Sequence, residues 1–128
     1  MKLTNRKMVT ILSMVNDIAR ISLPVKVSYA ISKNIGKIEK ELGDYNTERS
    51  KLLDKYAHKN EDGELEVTKD QNVTIKPENI EKWNKDINDL LDIEVEVDIH
   101  KVPFYILEES GTTMSISDIQ AIEFMLED

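Results

Sequence analysis

The chain has no cysteine among its 128 residues, which excludes a disulfide framework, thiolate-held zinc and a cysteine nucleophile and suits a reducing compartment. It also lacks any apolar run near the roughly 20 residues that cross a bilayer. The opening "MKLTNRKMVTILSMVNDIAR" is basic enough for a signal peptide, but polar residues interrupt it throughout, so it reads as a helix of the mature protein. Glycine is scarce, at four positions, and builds neither a phosphate-cradling loop nor a G-x-S-x-G elbow. The two histidines, His58 and His100, stand in no metal-ligand spacing. Paired carboxylates are plentiful, as any chain with 33% charged residues would have them, and nothing gathers them for acid-base work. No catalytic residue, cofactor site, metal site or membrane association is therefore expected, and the protein is expected not to be an enzyme.

What is abundant is charge, and it is unevenly placed. The net charge is -8; residues 1–60 hold 12 Lys/Arg against 6 Asp/Glu, and residues 61–128 hold 5 against 19. Such a division fits either a nucleic-acid surface on the basic side or two halves that neutralise each other. The basic residues are spread out, which favours the second. The one stripe they make, Lys26, Lys33, Lys37, Lys40, Lys51, Lys55 and Lys59, is diluted by Glu39, Glu41, Asp44, Glu48 and Asp54. No aromatic side chain is read as interleaving with it to stack bases, so nucleic acid is not an expected partner.

A chain of this length fits one domain, 1–128. Thr4 is a suitable N-cap, and Met8, Ile11, Leu12, Val15 and Ile18 follow at helical spacing, giving a first helix within 1–22 that Pro24 brings to an end. Pro24 then opens a long helix, 24–60, whose larger core candidates run Val27, Ile31, Ile35, Ile38, Leu42, Tyr45, Arg49, Leu52 and Tyr56 in steps of three and four. That spacing keeps one stripe towards one partner, as in a coiled-coil seam. Asp62-Gly63 and the short alternations "ELEV" and "NVTI" predict a β tip over 61–76. Pro77 and Glu78 start a return helix, 77–92, with Ile80, Trp83, Ile87, Leu90 and Leu91 on its apolar face. Ser117 with Gln120 reads as a capping box for a final helix, 117–127.

Between these helices lies a different pattern. Over 93–102, Ile93, Val95, Val97 and Ile99 alternate with Glu94, Glu96, Asp98 and His100, which is how a half-buried strand is written. The acidic face with its imidazole suggests a divalent metal, but same-side residues on a strand lie almost 7 Å apart, so a straight run does not chelate one ion. A solvated face that discourages stray edge pairing is preferred. "VPFYIL" follows, with Pro103 interrupting backbone pairing; it either plugs the base of the domain or forms a contact surface, and the plug is favoured. Tyr29, Tyr45, Tyr56, Trp83 and Phe124 are read as core. The candidate interaction residues are Glu94, Glu96, Asp98, His100, Phe104 and Tyr105. The expected fold is α+β and mostly α: a long antiparallel helical hairpin with a β tip, one returning strand, and a C-terminal helix packed at the base. Because the strand 93–102 has no obvious partner within the chain, a homodimer through it is left open.

The stretches "MKLTNRK", "LPVKVSYAISKNIGKIEKEL", "DGELEV", "LLDIEVEVDIHKV" and "AIEFMLED" resemble a domain-of-unknown-function family of short phage and prophage proteins from Gram-positive bacteria, over nearly the whole chain. That family carries no catalytic or binding residues onto these positions. The resemblance implies a small protein acting in the cytoplasm of an infected bacterium or in the virion. The roles it leaves open are a non-enzymatic protein-interaction module (binding itself, a host protein or a phage protein, inhibition of a host defence protein included), a virion structural or assembly factor, and a nucleic-acid binder using the basic half.

Overall fold

In the computed structural model, which describes residues 1–57, 59 and 74–128, Thr4 serves two elements. It ends strand β1 (Lys2–Thr4) and caps helix α1 (Asn5–Ile18), its Oγ1 accepting the Lys7 N–H at 3.0 Å. The cap stands where the sequence puts it; the strand before it is a correction to a helix drawn over 1–22. Helix α2 follows (Val25–Tyr56). The Pro24 carbonyl accepts the N–H groups of Val27 and Ser28, both at 3.0 Å, so the proline presets the first turn at no cost in donors. A 3-10 turn, Pro77–Asn79, leads into α3 (Ile80–Leu91). Then come β2 (Glu94–Glu96), β3 (Val102–Pro103), α4 (Tyr105–Ser110), α5 (Ile116–Ile122), a 3-10 turn Glu123–Met125, and β4 (Leu126–Glu127). The fold is α+β and mostly α, as expected. The predicted β tip over 61–76 falls largely outside the described residues, as does His58. An antiparallel bridge between Ala57 and Ile75 is described at its base.

Where the sequence suggests one domain, the chain groups into two compact units, Met1–Leu42 with Glu94–Asp128, and Gly43–Ile93. The first has a closed core. Ile18, Val27, Ala30, Val102, Leu107, Ala121, Ile122 and Met125 are all buried together, with Phe104 and Ile106 half-buried against them. Each large member gains about 1.5–3 kcal/mol from leaving water. The second unit is an antiparallel helix pair. Tyr45, Leu53 and Tyr56 are buried on α2, and Ala57 just after it, while α3 buries no residue fully. Tyr56 ties the pair: its hydroxyl donates to Asp86 Oδ2 at 2.7 Å, and its carbonyl accepts from Lys76 N at 3.1 Å and Asn79 Nδ2 at 3.3 Å. Leu53 is buried where the spacing points to Leu52, and Arg49 of the predicted stripe is exposed.

The alternating run is not one strand. Residues 94–96 pair antiparallel with β1, Leu3 opposite Val95, and Val97 N–H extends the ladder to Met1 O at 2.9 Å. Residues 97–101 are not strand, and Val102–Pro103 pairs instead, in parallel, with Leu126–Glu127. Pro103 does not interrupt this pairing, because the next amide, Phe104 N–H, donates to Glu127 O at 2.8 Å. The predicted final helix therefore ends early, at Ile122, and its last residues are a strand. Its start also differs. The capping box is Ser115 with Asp118, not Ser117 with Gln120: Ser115 Oγ accepts Asp118 N–H at 3.2 Å and Asp118 Oδ2 accepts Ser115 N–H at 3.0 Å. A shorter acid at the third position closes the same reciprocal pair. The premise of the strand dimer, an alternating run without a partner in its own chain, does not hold.

Candidate functional site

The site is built from α2 outward. On its first half the fully buried positions are Val27, Ala30, Asn34 and Ile38, spaced by three and four, so the residues one place before Ala30 and Asn34 turn away from the core. These are Tyr29 and Lys33. Tyr29, read from sequence as core, is 55% exposed, with Lys33 Nζ over its ring at 5.6 Å.

Asn34 explains how the other wall is attached. Its side chain has no exposed surface. Its Oδ1 accepts His100 N–H at 2.7 Å, and its Nδ2 donates to His100 O at 2.9 Å, with Met125 Sδ at 3.6 Å. One carboxamide thus satisfies both backbone groups of His100, as a neighbouring strand would. Lys37 Nζ donates to Asp98 O at 2.6 Å. Fixed this way, residues 100–106 and the start of α2 enclose a groove of about 500 Å³ lined by Val25, Lys26, Tyr29, His100, Lys101, Val102, Pro103, Tyr105 and Ile106. Val25 is 82% exposed and Tyr105 54%. The His100 ring stands edge-on to Tyr29, centroids 5.7 Å apart at 80°. No acidic residue lies in the first turn of α2.

Tyr29 is shared with a second depression of about 360 Å³, lined otherwise by Ser32, Lys33, Gly36, Lys37 and Lys40. The two adjoin along one helix face and hold five lysines and no carboxylate among their lining residues. Among the described residues only Lys37 of the five has a carboxylate partner, its Nζ 3.9 Å from Asp98 Oδ2.

The six residues singled out from the sequence separate. His100 and Tyr105 line the groove. Phe104 is half-buried against the core and faces a smaller hollow with Leu107 and Met114. "VPFYIL" is thus both plug and surface: Val102 and Leu107 are buried, Tyr105 is exposed. Glu94 and Glu96 sit opposite Thr4 and Lys2 in the two-stranded sheet, away from the groove's lining, and Asp98 faces Lys37. Among the described residues no group of three His, Cys, Asp or Glu comes together to hold a metal, and no helix is long and apolar enough to cross a membrane. Sequence reasoning missed Val25, Tyr29 and the role of Asn34. The signal was Asn34 itself, a polar residue spaced by four between Ala30 and Ile38 on an apolar stripe. The chain matches no known protein-family model, no curated protein and no solved structure.

Proposed function

We propose that the protein is a non-enzymatic protein-interaction module that docks its partner in the groove between the start of α2 and residues 100–106. The observation that carries this reading is the convergence of Val25, Tyr29 and Tyr105 on one groove, although a third of the chain is charged. Exposed apolar side chains scattered singly mean little; gathered in a concave surface with a polar rim they mark a contact site. Walls this exposed suit a chain segment better than an enclosed small molecule, which needs most of its surface covered. In the phage setting that the sequence resemblance implies, such a surface would serve inhibition of a host protein or assembly of a particle.

The test is site-directed cross-linking in producing cells. Benzoylphenylalanine in place of Tyr105 is expected to give a discrete protein adduct, identified by mass, that disappears in a Tyr29→Ala background. The same probe in place of Ile116, 79% exposed and outside the groove, is expected to give none. Equal labelling at both positions, or no adduct at Tyr105, overturns the reading. An adduct of twice the chain mass would make the partner a second copy.

A second reading has one observation in its favour. Tyr29 stands exposed between Lys26 and Lys33, supplying the aromatic whose absence argued against nucleic acid.

A further inference from the structure

The geometry points to an acidic peptide segment with an apolar anchor as the occupant of this site, an inference that rests on the docking reading above. Three features converge on it. First, the charge is inverted locally. Asp and Glu outnumber Lys and Arg by 25 to 17 in the chain, yet the groove and the adjoining depression are lined by Lys26, Lys101, Lys33, Lys37 and Lys40 without a carboxylate. Complementary potential selects an acidic partner and steers its approach.

Second, apolar and basic parts adjoin through a single residue. The groove offers Val25, Val102, Pro103 and Ile106 as an aliphatic floor; beyond Tyr29 the surface becomes lysine and small residues. From Val25 to Lys40 the helix rises about 22 Å at 1.5 Å per residue, the span of about seven extended residues at 3.3 Å each. The occupant so described has an aliphatic or aromatic anchor at one end and two or three Asp or Glu beyond it.

Third, Gly36 is out of place for folding alone. A glycine inside a helix is destabilising relative to alanine, and a Cβ added at Gly36 would meet nothing within 4 Å. Packing within the chain does not require it. It lies in the lysine-lined depression, where a missing side chain lets another backbone come close.

These features favour peptide over single-stranded nucleic acid. One face of Tyr29 carries the Lys33 ammonium and its ring meets His100 edge-on, and the floor beside it is aliphatic.

Fluorescence anisotropy with the whole chain tests the inference. The probes are labelled octapeptide mixtures with Phe, Leu or Trp near one end and Asp or Glu at three following positions, the same mixtures with Lys for the acids, the acidic mixtures with Ser for the anchor, and an oligothymidylate of eight nucleotides. The anchored acidic mixture is expected to bind, and the lysine and anchorless mixtures to bind at least about tenfold more weakly. The double variant Lys33→Glu/Lys40→Glu, on an exposed helix face, should lose about tenfold. Gly36→Leu should lose binding while its melting temperature is unchanged or raised, a pairing that a misfolded variant does not give. Equal binding of lysine and acidic mixtures, or no binding of the acidic one, overturns the inference. If the Tyr105 cross-link persists in that case, docking stands and only the acidic partner falls. Tight binding of the oligothymidylate with no peptide binding transfers the site to nucleic acid and overturns both.

Discussion

The run from Glu94 to His100 is one pattern in the sequence and two arrangements in the fold. From Glu94 to Val97 the backbone is held by backbone, through the ladder to Met1–Thr4. From Asp98 to His100 it is held by side chains of α2, Lys37 on the Asp98 carbonyl and Asn34 on both polar groups of His100. A ladder satisfies backbone groups whatever the side chains are. A side-chain partner ties the segment to one place on one helix, and that place is the wall of the groove. The first arrangement builds a sheet; the second builds a site.

Variants that separate the two arrangements follow in order of expected effect. Asn34→Leu keeps the volume but leaves the part-buried His100 N–H and C=O without their partner. It should cost about 2–4 kcal/mol, read as a lower urea midpoint at unchanged slope, and should weaken docking further by loosening the groove wall. Leu3→Ala strikes the other half. Leu3 is buried opposite Val95, and its truncation should cost about 2 kcal/mol while the groove stays formed. If Leu3→Ala weakens binding as much as Asn34→Leu does, the two halves are not separate.

The α5 cap leaves both arrangements alone and gives a control. Ser115→Ala should cost about 1 kcal/mol with binding unchanged. The Ser115 backbone N–H holds the Asp118 carboxyl below its ordinary value of 3.8, against the opposing effect of burial and with help from the Ser115 hydroxyl and Arg20. A depressed carboxylate stabilises the fold fully above its unfolded value and loses that contribution as pH falls through the lower folded one. The advantage of the wild type over Asp118→Asn should therefore be constant from neutral pH down to near pH 4 and fade below it, which urea titrations at several pH values would show. The smallest effect is expected from Lys37→Met. Its hydrogen bond to the Asp98 carbonyl and its ion pair with the Asp98 carboxylate are both exposed, so the cost should stay below about 1 kcal/mol.

Much of this is legible in the sequence. Alternation correctly put Val97 inside and Glu94 and Glu96 outside, because period two is the direct consequence of the pleat; Ile93, just before the strand, is exposed instead. Thr4 was read as a cap from its type and place. The partner of the alternating run was not legible: β1 is three residues long and runs directly into a helix, too short for any period to register. On α2 the stripe of larger side chains is buried at Val27, Ile38, Leu42, Tyr45 and Tyr56, but between Val27 and Ile38 its Ile31 and Ile35 are only half-buried, and Ala30 and Asn34 are the fully buried pair. Size hides these small and polar positions, and Tyr29, one place before Ala30, is exposed rather than core. The capping box was displaced by two residues because both Ser115 and Ser117 suit an N-cap, and only the reach of Asp118 decides between them.

Amide hydrogen exchange at His100 tests the central claim most directly. If Asn34 pins this segment as a strand would, His100 N–H should be protected to a degree comparable with Val97 N–H, which donates to Met1 O at 2.9 Å. In Asn34→Ala, His100 should then lose its protection while Val97 falls only by the global change in stability. A His100 amide that exchanges in the wild type at the rate of an unprotected peptide would contradict the account.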